Sequence, residues 1–216
     1  MVFKQIKDAL EKGDINKVIE LTKAALDKGK SIKAILDTLI GGMDIIGKKF
    51  KNNEIFIPEV LISAKAMHAG LNILEPYLSK SGIKPMGKIG IGTVKGDLHD
   101  IGKNLVAMMF RGAGFEVLDL GIDVPIEKFI DTAKNKGVNI IAMSTLLTTS
   151  MGVMKKIIEE LKTQGLLNRV KTMVGGAPVT SEFAKSIKAN GYAKDASSAV
   201  DKARELISLL KREKKV

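Results

Sequence analysis

The sequence has no cysteine, no tryptophan, two histidines, two tyrosines and no long apolar run. Without cysteine there is no disulfide, no thiolate zinc site and no thiolate-held iron–sulfur cluster. Two histidines are too few for a metal cage built wholly from protein. Aromatic residues make up only 4%, so the core must be built from Ile, Leu, Val, Ala and Met. No stretch approaches the roughly 18 apolar residues of a membrane span. Met1 to Leu10 alternates charged and apolar residues and has no signal-peptide core, so the expected location is the cytoplasm. The formal charge is +11, yet only Arg111, Arg169, Arg204 and Arg212 are arginine. Nucleic-acid readers use arginine forks and stacking aromatics. Neither is abundant, and a lysine-rich solvated surface accounts for the charge.

The 216 residues, 45% of them hydrophobic, allow one large domain or two small ones. The first part carries helical periodicity. Asp14 can cap a segment bearing Ile15, Val18, Ile19 and Ala25; Ser31 can cap one bearing Ile35, Leu39, Met43 and Phe50. Pro58 suits the first turn of another, with Val60, Leu61, Ala64, Met67, Leu71 and Leu74. With a shorter helix over Met1–Glu11, four antiparallel helices form a bundle. Residues 81–87, with Gly82, Pro85 and Gly87, read as a linker. Strand and helix then alternate, with strands at Lys88–Thr93, Glu116–Leu120, Val138–Ser144, Val170–Val174 and Gly191–Ala193. Helices are expected at Ile101–Gly112, Ile126–Asn135, Ser150–Gln164, Ser181–Ala189 and Ala196–Lys211. The fold class is therefore α + α/β. A four-helix domain over 1–80 and a linker over 81–87 precede a flavodoxin-like, Rossmann-like five-stranded parallel domain over 88–216, with strand order 2-1-3-4-5.

One stretch concentrates the chemistry. Gly96-Asp97-Leu98-His99-Asp100-Ile101-Gly102 sets a histidine between two aspartates and two glycines, after the first strand and before a helix. A neutral imidazole can ligate a metal through one nitrogen while the other donates to a carboxylate. A cofactor that brings its own metal and needs one axial ligand fits this chain. Ser144 closes the third strand and Gly175-Gly176 follows the fourth. In the expected order these motifs gather at the carboxyl ends of adjacent strands, where open α/β sheets bind ligands.

Asp97-x-His99-x-x-Gly102, then Ser144-x-Leu146, then Gly175-Gly176 resembles the signature of cobalamin-binding domains. The amino-terminal half, with Glu54-Ile55-Phe56-Ile57-Pro58-Glu59, resembles the helical domain of corrinoid methyl-carrier proteins of methyltransferase systems. The likeness extends to the methylamine and methanol corrinoid proteins and to the cobalamin-binding module of methionine synthase. It implies cobalamin in its methylcobalamin form, with His99 as the lower ligand to cobalt. Asp97 would hold the His99 ring and Ser144 would support Asp97, these two tuning the metal. Gly96, Leu98, Asp100, Ile101 and Gly102 would contact the cofactor from the histidine loop. Leu146 and Thr148 would line the slot for its nucleotide tail, and Gly175-Gly176 would leave room for it. Phe56, at the head of a face that continues through Val60, Ala64 and Met67, would cover the upper side of the corrin. Plainer roles stand beside these: Asp100 as a helix cap, Ser144 as a strand end, Gly175-Gly176 as a turn, and Val60 and Met67 as bundle core. His68 reads as a surface or packing residue, and the methionines as core filler.

The resemblance implies a carrier rather than a complete catalyst. A (β/α)₈ barrel for a methyl donor takes about 250 residues. Without cysteine the chain lacks the usual thiol-activating zinc site. The expected partners are a substrate:corrinoid methyltransferase, a corrinoid:acceptor methyltransferase and a reductive activator, with no nucleic acid and no membrane. Three alternatives compete. A cobalamin sensor would carry an output module such as a basic recognition helix, and none is legible. The small subunit of an adenosylcobalamin mutase has no use for the helical domain. A flavodoxin-like domain without corrinoid would not explain the three motifs together.

Overall fold

Short polar side chains open the early helices, as their positions imply. The computed structural model describes residues 2–213, apart from the side chains of residues 79 and 80. Met1 of the first expected helix and the last three residues of the second expected domain lie outside the described residues. α1 covers Val2–Glu11. Asp14 accepts the Lys17 amide at 2.9 Å and opens α2 (Ile15–Asp27). Ser31 accepts the Ala34 amide at 3.1 Å and opens α3 (Ile32–Lys51). α4 (Ile57–Ser81) has proline in its first turn and closes on Gly82 at φ 68°. α1 lies beside α2 and α3, and α4 lies beside the same two. On α3, Ile35, Leu39 and Met43 are buried as expected, but Phe50 is only half-buried. The stripe instead continues through Gly42 and Ile46. Gly42 lets Leu10 in: a Cβ there would lie 2.7 Å from the Leu10 Cδ1.

The sheet is parallel throughout. β1 (Lys88–Val94), β2 (Glu116–Val124), β3 (Ile140–Ser144), β4 (Lys171–Gly175) and β5 (Gly191–Ala193) lie in the order β2-β1-β3-β4-β5. Between them run α5 (Ile101–Gly112), α6 (Ile126–Asn135), α7 (Met151–Thr163), α8 (Ser181–Ser186) and, last, α9 (Ala196–Glu213). Ile141 and Met143 of β3 share a core with Phe129 of α6 and Ile157 of α7. Strand alternation sends Ile140 and Ala142 to the other face, and α9 packs on β3 and β5.

Several ends differ from expectation. β2 runs on past Leu120 through two irregularities of register, helped by Gly121 at φ 93°. β3 begins two residues late because Asn139 bridges to Lys88 instead, donating its amide to the Lys88 carbonyl at 2.7 Å and accepting the Lys88 amide on its side chain at 2.8 Å. A 3₁₀ turn over Thr148–Ser150 leads into α7. α8 stops at Ser186, shortly before Lys188 takes φ 60°.

The chain divides into two compact units. One comprises Met1–Pro85 with Arg111–Gly114, the other Met86–Phe110 with Phe115–Val216. Among the described residues no helix is long and apolar enough to cross a membrane.

Candidate functional site

The parallel sheet brings the ends of β1, β3 and β4 together. Thr93 pairs with Ser144, and Ser144 with Gly175. Beyond β1 the chain turns at Gly96 (φ 86°), with the Asp97 amide donating to the Val94 carbonyl at 3.2 Å. This turn sends the Asp97 side chain inward, where it is fully buried.

Four donors converge on that carboxylate. Oδ1 accepts the His99 amide at 3.0 Å and faces the His99 Nδ1 at 2.7 Å. Oδ2 accepts the Thr145 hydroxyl and the Leu146 amide, both at 2.6 Å. Burial would raise the pKa, but the hydrogen bonds from Thr145, His99 and Leu146 outweigh it and hold the carboxyl well below the usual carboxylate range. Asp97 is therefore ionised and can only accept. Two assignments follow. His99 presents an Nδ1 proton to Asp97, so in the neutral imidazole the lone pair lies on Nε2, on a side chain that is 52% exposed. Thr145 must spend its proton on Asp97, and its oxygen lies 2.7 Å from the Ser150 hydroxyl, which also reaches the Leu147 carbonyl at 3.1 Å.

The structure corrects one expectation here. The hydroxyl that supports Asp97 belongs to Thr145, not Ser144. Ser144 is the last residue of β3, half-buried between Thr93 and Gly175 in the ladder. The next residue, already off the strand, is the one that reaches the carboxylate. Thr145, Ser150 and Thr93 were not singled out in the sequence, although Thr93 Oγ1 donates to the His99 carbonyl at 2.8 Å. Gly175 and Gly176 also have a nearer cause than room for a ligand. A Cβ on Gly176 (φ 125°) would lie 1.8 Å from the Thr145 carbonyl oxygen, and one on Gly175 would lie 3.1 Å from that of Ala193. The β4 turn thus packs directly on the segment that holds Asp97.

The remaining residues surround this centre unevenly. Leu98 and Ile101 are 69% and 73% exposed, and Leu146 is also exposed. These apolar side chains beside a buried carboxylate form a bed that water alone does not explain. Gly102 has open space where a Cβ would stand. The Asp100 carbonyl accepts the Asn104 amide at 2.7 Å, the first bond of α5, and its carboxylate accepts the Asn104 side chain at 2.9 Å. That is the cap position. Thr148 opens the 3₁₀ turn. Phe56 lies in the helical unit, just before α4, and is 65% exposed. Val60, Ala64 and Met67 are buried. His68 is exposed on α4.

Among the described residues no group of three or more His, Cys, Asp or Glu could hold a metal. One outward imidazole with a fixed tautomer suits a metal that arrives already coordinated on its other sides. The donor set therefore fits a corrin, and would not retain a bare ion.

Residues 87–207 match a family model described as a B12 binding domain, and residues 2–75 match a second model of the same description. The chain is 41% identical to a corrinoid protein of Desulfitobacterium hafniense, over 94% of this chain and 96% of that one. It is 41% identical to dimethylamine corrinoid protein 2 of Methanosarcina acetivorans, over 95% and 96%. In structure it resembles a chain of the methanol:cobalamin methyltransferase complex from Methanosarcina barkeri, with a TM-score of 0.85 and 29% identity, covering 99% of this chain and 84% of that one.

Proposed function

The chain belongs to the B12-binding domain family, and from that premise we propose that it carries a methyl group on the cobalt of bound cobalamin between two methyltransferases. The observation that carries the reading is the single outward Nε2 of His99, its partner nitrogen committed to a buried, ionised Asp97. The bound cofactor would supply a metal able to accept and release a methyl group. His99 would hold it from below, and Asp97 would fix the ring and raise its donor strength. Leu98, Ile101 and Leu146 would shield the lower face from water, with Gly96, Gly102, Ser144, Thr148, Asp100 and Gly175-Gly176 around the tail. Phe56, exposed at the head of α4, would cover the upper face and move aside at residues 81–87 when a partner docks.

Relatives named for dimethylamine and a structural neighbour from a methanol:cobalamin methyltransferase complex support a methyl carrier over a sensor. The partners on this reading are a substrate:corrinoid methyltransferase, a corrinoid:acceptor methyltransferase and a reductive activator. The chain has no cysteine with which to activate a thiol or ligate a cluster.

The test loads the purified chain with methylcobalamin carrying a labelled methyl group. Transfer to free thiol should be negligible alone and restored by an acceptor methyltransferase. In the Co(II) state, His99→Ala should remove the imidazole nitrogen coupling from the electron paramagnetic spectrum. Efficient transfer by this chain alone, or unchanged coupling in the variant, would overturn the reading.

A further inference from the structure

β2 continues where regular pairing with β1 would have ended. Ile91 pairs with Asp119, Gly92 with Gly121 and Val94 with Val124, so β2 carries an extra residue at each of two steps. These irregularities bring Asp123 back toward the turn that follows β1. Asp123 takes φ 48°, a left-handed backbone uncommon for residues with a Cβ but tolerated best by Asn and Asp.

The surroundings are specific. The Asp123 amide donates to the Asp97 carbonyl at 3.0 Å. Its Oδ1 accepts the Gly96 amide at 2.8 Å, and its Oδ2 lies 3.3 Å from the Lys95 ammonium. Three consecutive residues of the turn are thus gripped by one residue of the neighbouring strand. From the other side, Thr145 and Leu146 hold the Asp97 side chain, and Thr93 holds the His99 carbonyl. Beside the bond from the Asp97 amide to the Val94 carbonyl within the turn, Asp123 ties the Gly96 amide and the Asp97 carbonyl to the neighbouring strand. Without it, the glycine turn would lose its backbone ties to β2 and keep only the Val94 bond and the grip on the Asp97 and His99 side of the loop.

We propose that Asp123 is a positioning residue that locks the turn delivering His99 to the cofactor. It acts through Gly96 and Asp97. This rests on the reading that His99 is the metal's lower ligand, and the two can fail separately.

The test uses the full chain with Asp123→Gly and Asp123→Asn. Glycine accepts φ 48° without strain, so the fold survives while the side-chain acceptor is lost. Asparagine tolerates the same backbone, and its amide oxygen can accept from Gly96. In cofactor-free protein, hydrogen exchange at the Gly96 amide should quicken about five- to tenfold in the glycine variant, the loss of one backbone-anchoring bond. It should stay near native in the asparagine variant. With cobalamin bound as Co(II), the glycine variant should lose part of its imidazole nitrogen coupling, and its midpoint potential should move toward that of His99→Ala. The asparagine variant should restore both. Native exchange at Gly96 in the glycine variant would remove the clamp. Faster exchange with native coupling and potential would remove its positioning role. Absence of imidazole coupling in the unmodified protein would instead sink the reading of His99.

Discussion

The loop that carries His99 and the segment that carries Phe56 are held in opposite ways. Around His99, the Asp97 carboxylate, the Gly96 amide and the carbonyls of Asp97 and His99 all have partners in the surrounding strands and turns. The Phe56 backbone bonds to its own helix. Its amide donates to Glu59 at 3.2 Å, its carbonyl accepts the Val60 amide at 3.2 Å, and its ring lies open. On the proposed reading, with His99 as metal ligand and Phe56 as cover, the difference matches two demands. A metal ligand needs one tautomer and one direction, so its backbone must be over-determined. A cover needs apolar surface and freedom to move, so it is tied down only where helix formation requires it.

The strongest way to break this contrast is Asp97→Asn. An asparagine has one accepting oxygen and one donating nitrogen. Whichever way it turns, its NH₂ meets a backbone N–H, that of His99 on one side or that of Leu146 on the other. The expected loss is about 1–3 kcal/mol of stability in cofactor-free protein, and about 10–100-fold in cofactor affinity. The sign of the pH effect follows from the lowered pKa of Asp97. Its contribution is complete above the ordinary carboxylate pKa of about 4 and declines as pH falls toward the depressed folded value. Denaturant titrations from neutral pH downward should show the acid decline in the native protein and a smaller one in the variant. Equal stability of the two at neutral pH would mean the buried carboxylate does not organise the loop.

A finer cut compares Thr145→Val with Ser144→Ala. Valine keeps the shape of threonine but removes the hydroxyl that donates to Asp97 and contacts Ser150. A loss of about 1–2 kcal/mol is expected. Ser144→Ala removes a half-buried hydroxyl that does not reach Asp97, and should stay within about 0.5 kcal/mol. Thermal unfolding of the two variants side by side checks this. A larger loss for Ser144→Ala than for Thr145→Val would return the supporting role to Ser144.

That pair also marks where the sequence stops being legible. The cap residues Asp14 and Ser31 act on amides three residues away, so local spacing revealed them. The bond from His99 to Asp97 is likewise local, two residues apart. Thr145 is 48 residues from Asp97 and adjacent to another hydroxyl residue. A one-residue step at a strand end changes which face a side chain serves, and only the tertiary register decides between them. β2 was cut short for a related reason. Gly121, at φ 93°, permits the irregular pairing that carries the strand on to Val124, and that pairing is a matter of tertiary register. The strand order was legible because regular alternation of strands and helices leaves few topologies.

The smallest expected effect on the protein alone belongs to Phe56→Ala, and that smallness is informative. The ring is mostly exposed, and the backbone bonds around it do not use the side chain. Stability of the cofactor-free protein should therefore change by no more than about 0.5 kcal/mol. Affinity for cobalamin should also change little, since His99, Asp97 and the apolar bed beside them are untouched. The proposed cover acts only once a methyl group is in place, by excluding water and oxygen and by holding the products of photolysis close enough to recombine. Photolysis of the methylated, protein-bound cofactor, followed by its visible spectrum, should be faster in the variant, while Phe56→Leu should retain most of the protection. Unchanged photolysis in Phe56→Ala would take this residue out of the site. A large loss of stability would show instead that the ring belongs to the helical core, and the contrast between a pinned ligand and a loosely tethered cover would fall with it.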